Sequence, residues 1–188
     1  MQAILEEASK GEENFKNFLN SGVNINIKNE EGDTALFEAI HNGMEDIVEL
    51  LLKYGADVNI KNEHKYTALS VASCYANEKI VDMLLKKGAY VNASTIHGDT
   101  PLILAADNDN SPSPQIVDLL LKYGADVNAR SINGDTALLI ASKNNEKVWL
   151  VDILLKKGAY INNSNKHGST VLHSAVFFNN EKVVELLL

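Results

Sequence analysis

A Gly followed four residues later by Asn recurs five times in this chain, as GVNIN from Gly22, GADVN from Gly55, GAYVN from Gly88, GADVN from Gly124 and GAYIN from Gly158. The glycines are 33, 33, 36 and 34 residues apart, and a threonine at 34, 67, 100, 136 and 170 keeps the same intervals. Two markers repeating in phase at a period in the low thirties restrict the fold to a stacked repeat array, in which each unit buries its apolar face against its neighbours.

Each copy reads as two short helices. TALFEAIHNG from Thr34 is matched by segments beginning at Thr67, Thr100, Thr136 and Thr170. The threonine suits an N-cap, and Pro101 suits a first helical position, where its missing N–H is no loss. In the second helix Ile47, Val48, Leu51 and Leu52 form one apolar stripe, as do Ile80, Val81, Leu84 and Leu85. Lys53, Lys86, Lys87, Lys122, Lys156 and Lys157 stand at the C-terminal end, where a cation offsets the helix dipole, and the following Gly supplies a left-handed stop.

Length variation is confined to one side of the unit. Terminal glycine to next threonine is always 12 residues, whereas threonine to glycine runs 21, 21, 24 and 22. Insertions therefore fall between the two helices, and the connecting loops keep register. The longest insertion, NDNSPSPQ at 108–115, offers Ser113 as a cap and Pro114 as a helix start. KYGAD alternates with KKGAY, so Asp57 is expected near Lys87 and Asp126 near Lys157 as inter-repeat ion pairs, unless the alternation is only a trace of duplication. Asn26, Asn59, Asn92, Asn128 and Asn162 are expected to bond to loop backbone.

In phase, the pattern resembles the ankyrin repeat, whose motif runs approximately D-x-x-G-x-T-P-L-H-x-A-A, a turn, then V-x-x-L-L-x-x-G-A-D-V-N; GDTPLILAA from Gly98 and LLLKYGADVN from Leu119 are close matches. The resemblance implies an all-α solenoid of helix-turn-helix units joined by β-hairpin-like loops. Residues 1–188 form one repeat domain: an N-terminal capping repeat at 1–29, full repeats at 30–62, 63–95, 96–131 and 132–165, and an incomplete repeat at 166–188. The motif's histidine survives only as His173, with Phe37, Ser70, Ile103 and Leu139 in its place, and Lys65 replaces a hairpin glycine. Apolar packing is expected to take over the histidine's task of tying loops together. Glu6, Glu7, Glu12 and Glu13 suit a polar cap. After EKVVELLL the chain stops at Leu188 without a helix-ending glycine, which points to a trimmed chain or to a last helix covered by a partner or a second copy.

Carried onto matching positions, the resemblance implies a protein-binding surface. The loop tips offer Glu30, Glu31 and Asp33, then Glu63, His64 and Tyr66, then Ile96, His97 and Asp99, then Ile132, Asn133 and Asp135, then Lys166, His167 and Ser169. The inner helix face offers His41, Cys74, Tyr75, Asp107, Lys143, Phe177 and Phe178. This set is acidic in its N-terminal half, so the expected partner is a protein segment with basic and apolar residues, anchored on Tyr66 and Tyr75. The chain is read as a non-catalytic scaffold and a monomer, unless the exposed C-terminal repeat self-associates. Alternatives are a regulatory or targeting segment of a larger, possibly enzymatic, chain and a structural spacer.

Composition removes other classes. A net charge of -8 and a pI near 5.1 oppose nucleic-acid binding, which needs clustered cations. No run approaches the roughly 18 apolar residues of a membrane span, and the N-terminus lacks a secretory signal. The single cysteine suits a reducing compartment, with the cytoplasm as default, while effector-type export without a classical signal stays open. There is no Gly-rich phosphate loop, G-x-S-x-G, H-E-x-x-H or CxxC, so no cofactor and no catalytic residue are expected. His64, His97 and His167 share one loop position but are too widely spaced for a shared metal. Asp107, Asp109 and Ser111 open like a calcium loop, yet Pro112 replaces the required Gly, so no metal is expected. Trp149, at a one-residue insertion, is expected to pack over an inter-helix loop.

Overall fold

Five threonines in extended backbone each begin a helix, which is how the repeat becomes structure. A computed structural model describes residues 1–75, 77–108 and 113–188. Its helices pair as α1 (Gln2–Ser9) with α2 (Glu12–Asn20), α3 (Ala35–His41) with α4 (Glu45–Lys53), and α5 (Ala68–Cys74) with α6 (Glu78–Lys86). Then come α7 (Pro101–Asp107) with α8 (Pro114–Lys122), α9 (Ala137–Ala141) with α10 (Val148–Lys156), and α11 (Val171–Phe177) with α12 (Glu181–Leu187). No strand occurs among the described residues.

Local chemistry sets the boundaries. Thr67, Thr100, Thr136 and Thr170 each accept a bond from the backbone N–H three residues on, and Ser113 does the same for α8. Thr34 departs from the expectation: its backbone matches the others, at φ -100° and ψ 170°, but its side chain makes no cap bond. At the other end Gly22, Gly55, Gly88, Gly124 and Gly158 all have φ between 82° and 89°. This lets the next residue's N–H reach back over the last turn, as Ala89 does to the Leu84 carbonyl at 3.0 Å.

Stacking builds the core in two layers. The first helices α3, α5, α7, α9 and α11 each pack on the next; behind them α4, α6 and α8 pack in series, as do α10 and α12, and α1 closes on α3 and α4. Every first helix carries an alanine at the same position, Ala39, Ala72, Ala105, Ala141 and Ala175, and all are buried. A methyl there lets neighbouring helices approach closely. The second helices supply larger groups, including Val48, Leu51, Ile80, Leu84, Ile116, Leu120, Val151 and Leu154. Full burial of such a side chain stabilises by about 1.5–3 kcal/mol.

The insertions take different forms. The one-residue insertion becomes a 3-10 turn, Asn145–Lys147, after an α9 of only 5 residues. Lys147 is 1% exposed, and its ammonium donates to the Ala106 carbonyl at 2.8 Å, linking this turn to the preceding repeat. Trp149, expected to pack over an inter-helix loop, lies in the first turn of α10 and is half-buried against the core. Asp109, Ser111 and Pro112, weighed as part of a calcium loop, lie outside the described residues.

The connecting loops project as fingers, each bonded to the next. Backbone N–H groups of Glu63, Ile96, Ile132 and Lys166 donate to the carbonyls of Glu31, His64, His97 and Asn133 at 2.7–3.0 Å. Lys28, Lys61 and Arg130 reach forward to the carbonyls of Lys61, Ser94 and Ser164. The task expected of apolar packing is thus shared with a polar lattice. Where Gly32 and Gly98 turn with φ of 80° and 78°, a Cβ would come within 2.9 and 2.8 Å of the next finger's backbone nitrogen. Lys65 holds the same left-handed turn, at φ 59°.

At the base of the fingers the recurring asparagines bridge consecutive repeats. Asn59 accepts from Tyr90 N–H at 2.8 Å and donates to the Gly88 carbonyl at 3.1 Å. Asn92 and Asn128 repeat this with Asp126 and Gly124, and with Tyr160 and Gly158. Asn26 makes one such bond, accepting from Asp57 N–H at 2.9 Å. The expected Asp57–Lys87 and Asp126–Lys157 ion pairs do not form. Both carboxylates instead accept the N–H two residues on, from Asn59 and Asn128 at 2.9 Å, a local turn that holds them in their own loop.

Candidate functional site

Beneath the fingers, the sides of the first helices form shallow open grooves. The first lies between α3 and α5, holds about 500 Å³, and gathers Glu31, Asp33, His41, His64, Tyr66, Cys74 and Tyr75 from the expected set. Phe37, Glu38, Asn62 and Val71 complete its lining. Three carboxylates line it, and no Lys or Arg does. One oxygen of Asp33 accepts from the Asn62 amide at 2.8 Å, which ties two fingers together. The His41 and Tyr75 rings meet edge to face, with centroids 4.8 Å apart. Tyr75 is 53% exposed, whereas Tyr66 is half-buried and its phenol is pushed upward chiefly by that burial.

Cys74 lies on the groove wall with its thiol pushed up to about 11, first by burial and then by the negative charges of Asp107 and Asp99. It is therefore a protonated, poorly nucleophilic thiol at neutral pH. Asp99 is itself raised, mainly by burial, against the opposing pull of His97, with Asp107 and Asp135 adding like charge.

A second groove stands at the equivalent place between α9 and α11. It holds about 550 Å³ and is lined by Lys143, His167, Ser169, Phe177 and Phe178 from the expected set, together with His173. The two phenyl rings pack edge to face at 5.1 Å and are 82% and 47% exposed. Asp107 faces an adjoining recess that it shares with Lys143 and Phe178.

The remaining expected residues stay outside both grooves. Glu30, Ile96, His97 and Ile132 are exposed on the fingers, and the backbone of Ile96, His97 and Ile132 itself makes the bonds that join one finger to the next. Asp135 accepts from the Asn165 amide at 2.8 Å, as Asp33 does from Asn62. Part of the expected surface thus lines these grooves and part lies on the fingers.

Residues that organise this surface but were absent from the sequence reading are Asn29, Asn62 and Asn165. Each carboxamide oxygen accepts two N–H groups of its own finger, two and four residues on. Thr95 does the same and Ser131 accepts one, so the recurrence is chemical, from Asn to Thr to Ser, and an identity-based pattern overlooks it.

Among the described residues, no cluster of His, Cys, Asp and Glu could hold a metal, and no helix is long and apolar enough to cross a membrane. The grooves are open, suited to receiving side chains from another surface. No curated protein matches the chain at a significant level. A family model described as ankyrin repeats, three copies, matches residues 1–95 and 102–188. With paired helices, projecting fingers and in-phase markers along that span, the chain belongs to the ankyrin-repeat family, whose repeats are in general protein–protein interaction modules and typically non-catalytic.

Proposed function

We propose that residues 1–188 act as one non-catalytic scaffold domain that binds a partner protein across its finger tips and grooves. The observation that carries this reading is the first groove: three carboxylates beside Tyr66, Tyr75 and Phe37, with no Lys or Arg in the lining. Such a surface suits a Lys or Arg of the partner next to an apolar side chain. The carboxylates set orientation and association rate, while the desolvated aromatic contact supplies affinity. A reducing compartment, the cytoplasm first, fits the single half-buried cysteine.

The test is a Tyr66→Ala/Tyr75→Ala double variant, compared with the parent in affinity capture from source lysate at matched concentration. A scaffold using this face loses its captured protein while keeping its helical circular dichroism. Undiminished capture by a folded double variant would show that this face is not the contact, and capture by neither protein would favour a spacer.

A further inference from the structure

The two grooves occupy equivalent positions in the repeat, and the sequence reverses their charge. Lys143 stands where His41 does, Ile140 where Glu38 does, and Asn133 where Glu31 does. Phe177 and Phe178 replace Cys74 and Tyr75. The outcome is a first groove with three carboxylates and no Lys or Arg, and a second with Lys143 and no carboxylate, two histidines lining each. Lys143 has no ion-pair partner among the described residues. Asp135, the nearest equivalent of Asp33, does not line the second groove, and one of its oxygens is taken by Asn165. Carboxylates therefore line the first groove and none lines the second, where Lys143 also borders a recess shared with Asp107 and Glu146.

Resting on the reading that this face binds protein, we infer that its occupant is one extended, bipolar segment: a Lys or Arg seated in the first groove and a carboxylate beside an apolar residue seated on Lys143 and the phenylalanine pair. The grooves are three repeats apart. At roughly 8–10 Å per stacked helix the separation is about 24–30 Å, which an extended chain at about 3.3 Å per residue covers in about seven to nine residues. A uniformly basic segment would satisfy only the first groove and meet like charge at the second. The exposed Phe177 and Phe178 supply an apolar seat at that end.

Three fluorescein-labelled peptides test this by fluorescence anisotropy at low ionic strength. One carries Arg and a Phe-Glu pair separated by about eight Gly, Ser and Pro residues, matching the span above. The second shortens the separation to about two residues, and the third replaces Phe-Glu by a second Arg. The long bipolar peptide should bind at least about fivefold more tightly than either control, because only it engages both grooves at once. Lys143→Gln should weaken the long bipolar peptide by about two- to fivefold, the range of an exposed charge pair, and should not weaken the all-basic peptide, whose second Arg it relieves of like charge. Glu38→Gln should weaken both. Equal affinity for the short or all-basic peptide overturns the inference, and so does a weakening of the all-basic peptide by Lys143→Gln as large as that of the bipolar one. If none of the peptides binds, the bipolar reading fails, while the broader one is decided separately by capture with the Tyr66 and Tyr75 variant.

Discussion

Replacing the bridging asparagines by alanine should destabilise the array in steps that follow the number of inter-repeat bonds each one makes. Asn59, Asn92 and Asn128 each make two, one accepted and one donated, at 2.8–3.2 Å; Asn26 makes one; Asn162 makes none. A net hydrogen bond contributes about 0.5–1.5 kcal/mol, and these bridges are solvent-exposed, so the lower half of that range applies. Asn92→Ala should then cost about 1–2 kcal/mol, Asn26→Ala about half of that, and Asn162→Ala close to zero. For a chain of this size, 1 kcal/mol moves Tm by about 2–4 °C, so Asn92→Ala should lower Tm by about 2–8 °C. Urea titration followed by circular dichroism, alongside thermal melts, measures the series; Asn162→Ala is the internal control because it changes the same residue in the same loop sequence. Should Asn162→Ala cost as much as Asn92→Ala, the asparagine acts on its own loop and the inter-repeat account is refuted. A uniform loss across all five would refute it equally.

Three further outcomes follow from single sites. Lys147→Ala removes a buried ammonium bonded to the Ala106 carbonyl and should cost about 2–3 kcal/mol by denaturant titration, well above an exposed lysine such as Lys122. Lys65→Gly relieves a left-handed backbone in a residue with a Cβ and should raise stability by about 0.5–1 kcal/mol, whereas Gly32→Ala, with a backbone nitrogen at 2.9 Å from the new Cβ, should lower it. Cys74, its thiol raised from 9.0 to about 11, should be alkylated about 100-fold more slowly at pH 8 than an unperturbed cysteine. Because the reactive form is the thiolate, its rate should keep rising about tenfold per pH unit beyond pH 9, where a free thiol levels off; an earlier plateau would refute the burial argument.

Much of the fold was legible from short-range pattern. Thr67, Thr100, Thr136 and Thr170 cap, Pro101 and Pro114 open helices, and Gly55 to Gly158 close them, because each acts on backbone within a few residues of itself. The stripes of α4 and α6 were equally readable, since 3.6-residue periodicity specifies a buried face without naming what covers it. The candidate site was legible only in part. The family resemblance, carried onto matching positions, implied one face for Tyr66, Tyr75, Phe177 and Phe178, but not the grooves between α3 and α5 and between α9 and α11 or the contribution of Glu38 and Asn62.

The unreadable part has one physical origin. Asp57 was assigned to Lys87 by spacing, yet a bond to the N–H two residues away orders far less chain than an exposed ion pair, and it prevails. Lys147 looks like any surface lysine in sequence; only the stacking of α9 and α10 against the preceding repeat buries it and brings the Ala106 carbonyl to its ammonium. By itself, then, the sequence determined the repeat, its helix boundaries and the constant register of its fingers, all consequences of local dihedral and capping preferences. Tertiary structure decided which side chains meet across repeats, because partner choice is a competition among groups some thirty residues apart that become neighbours only once the helices stack.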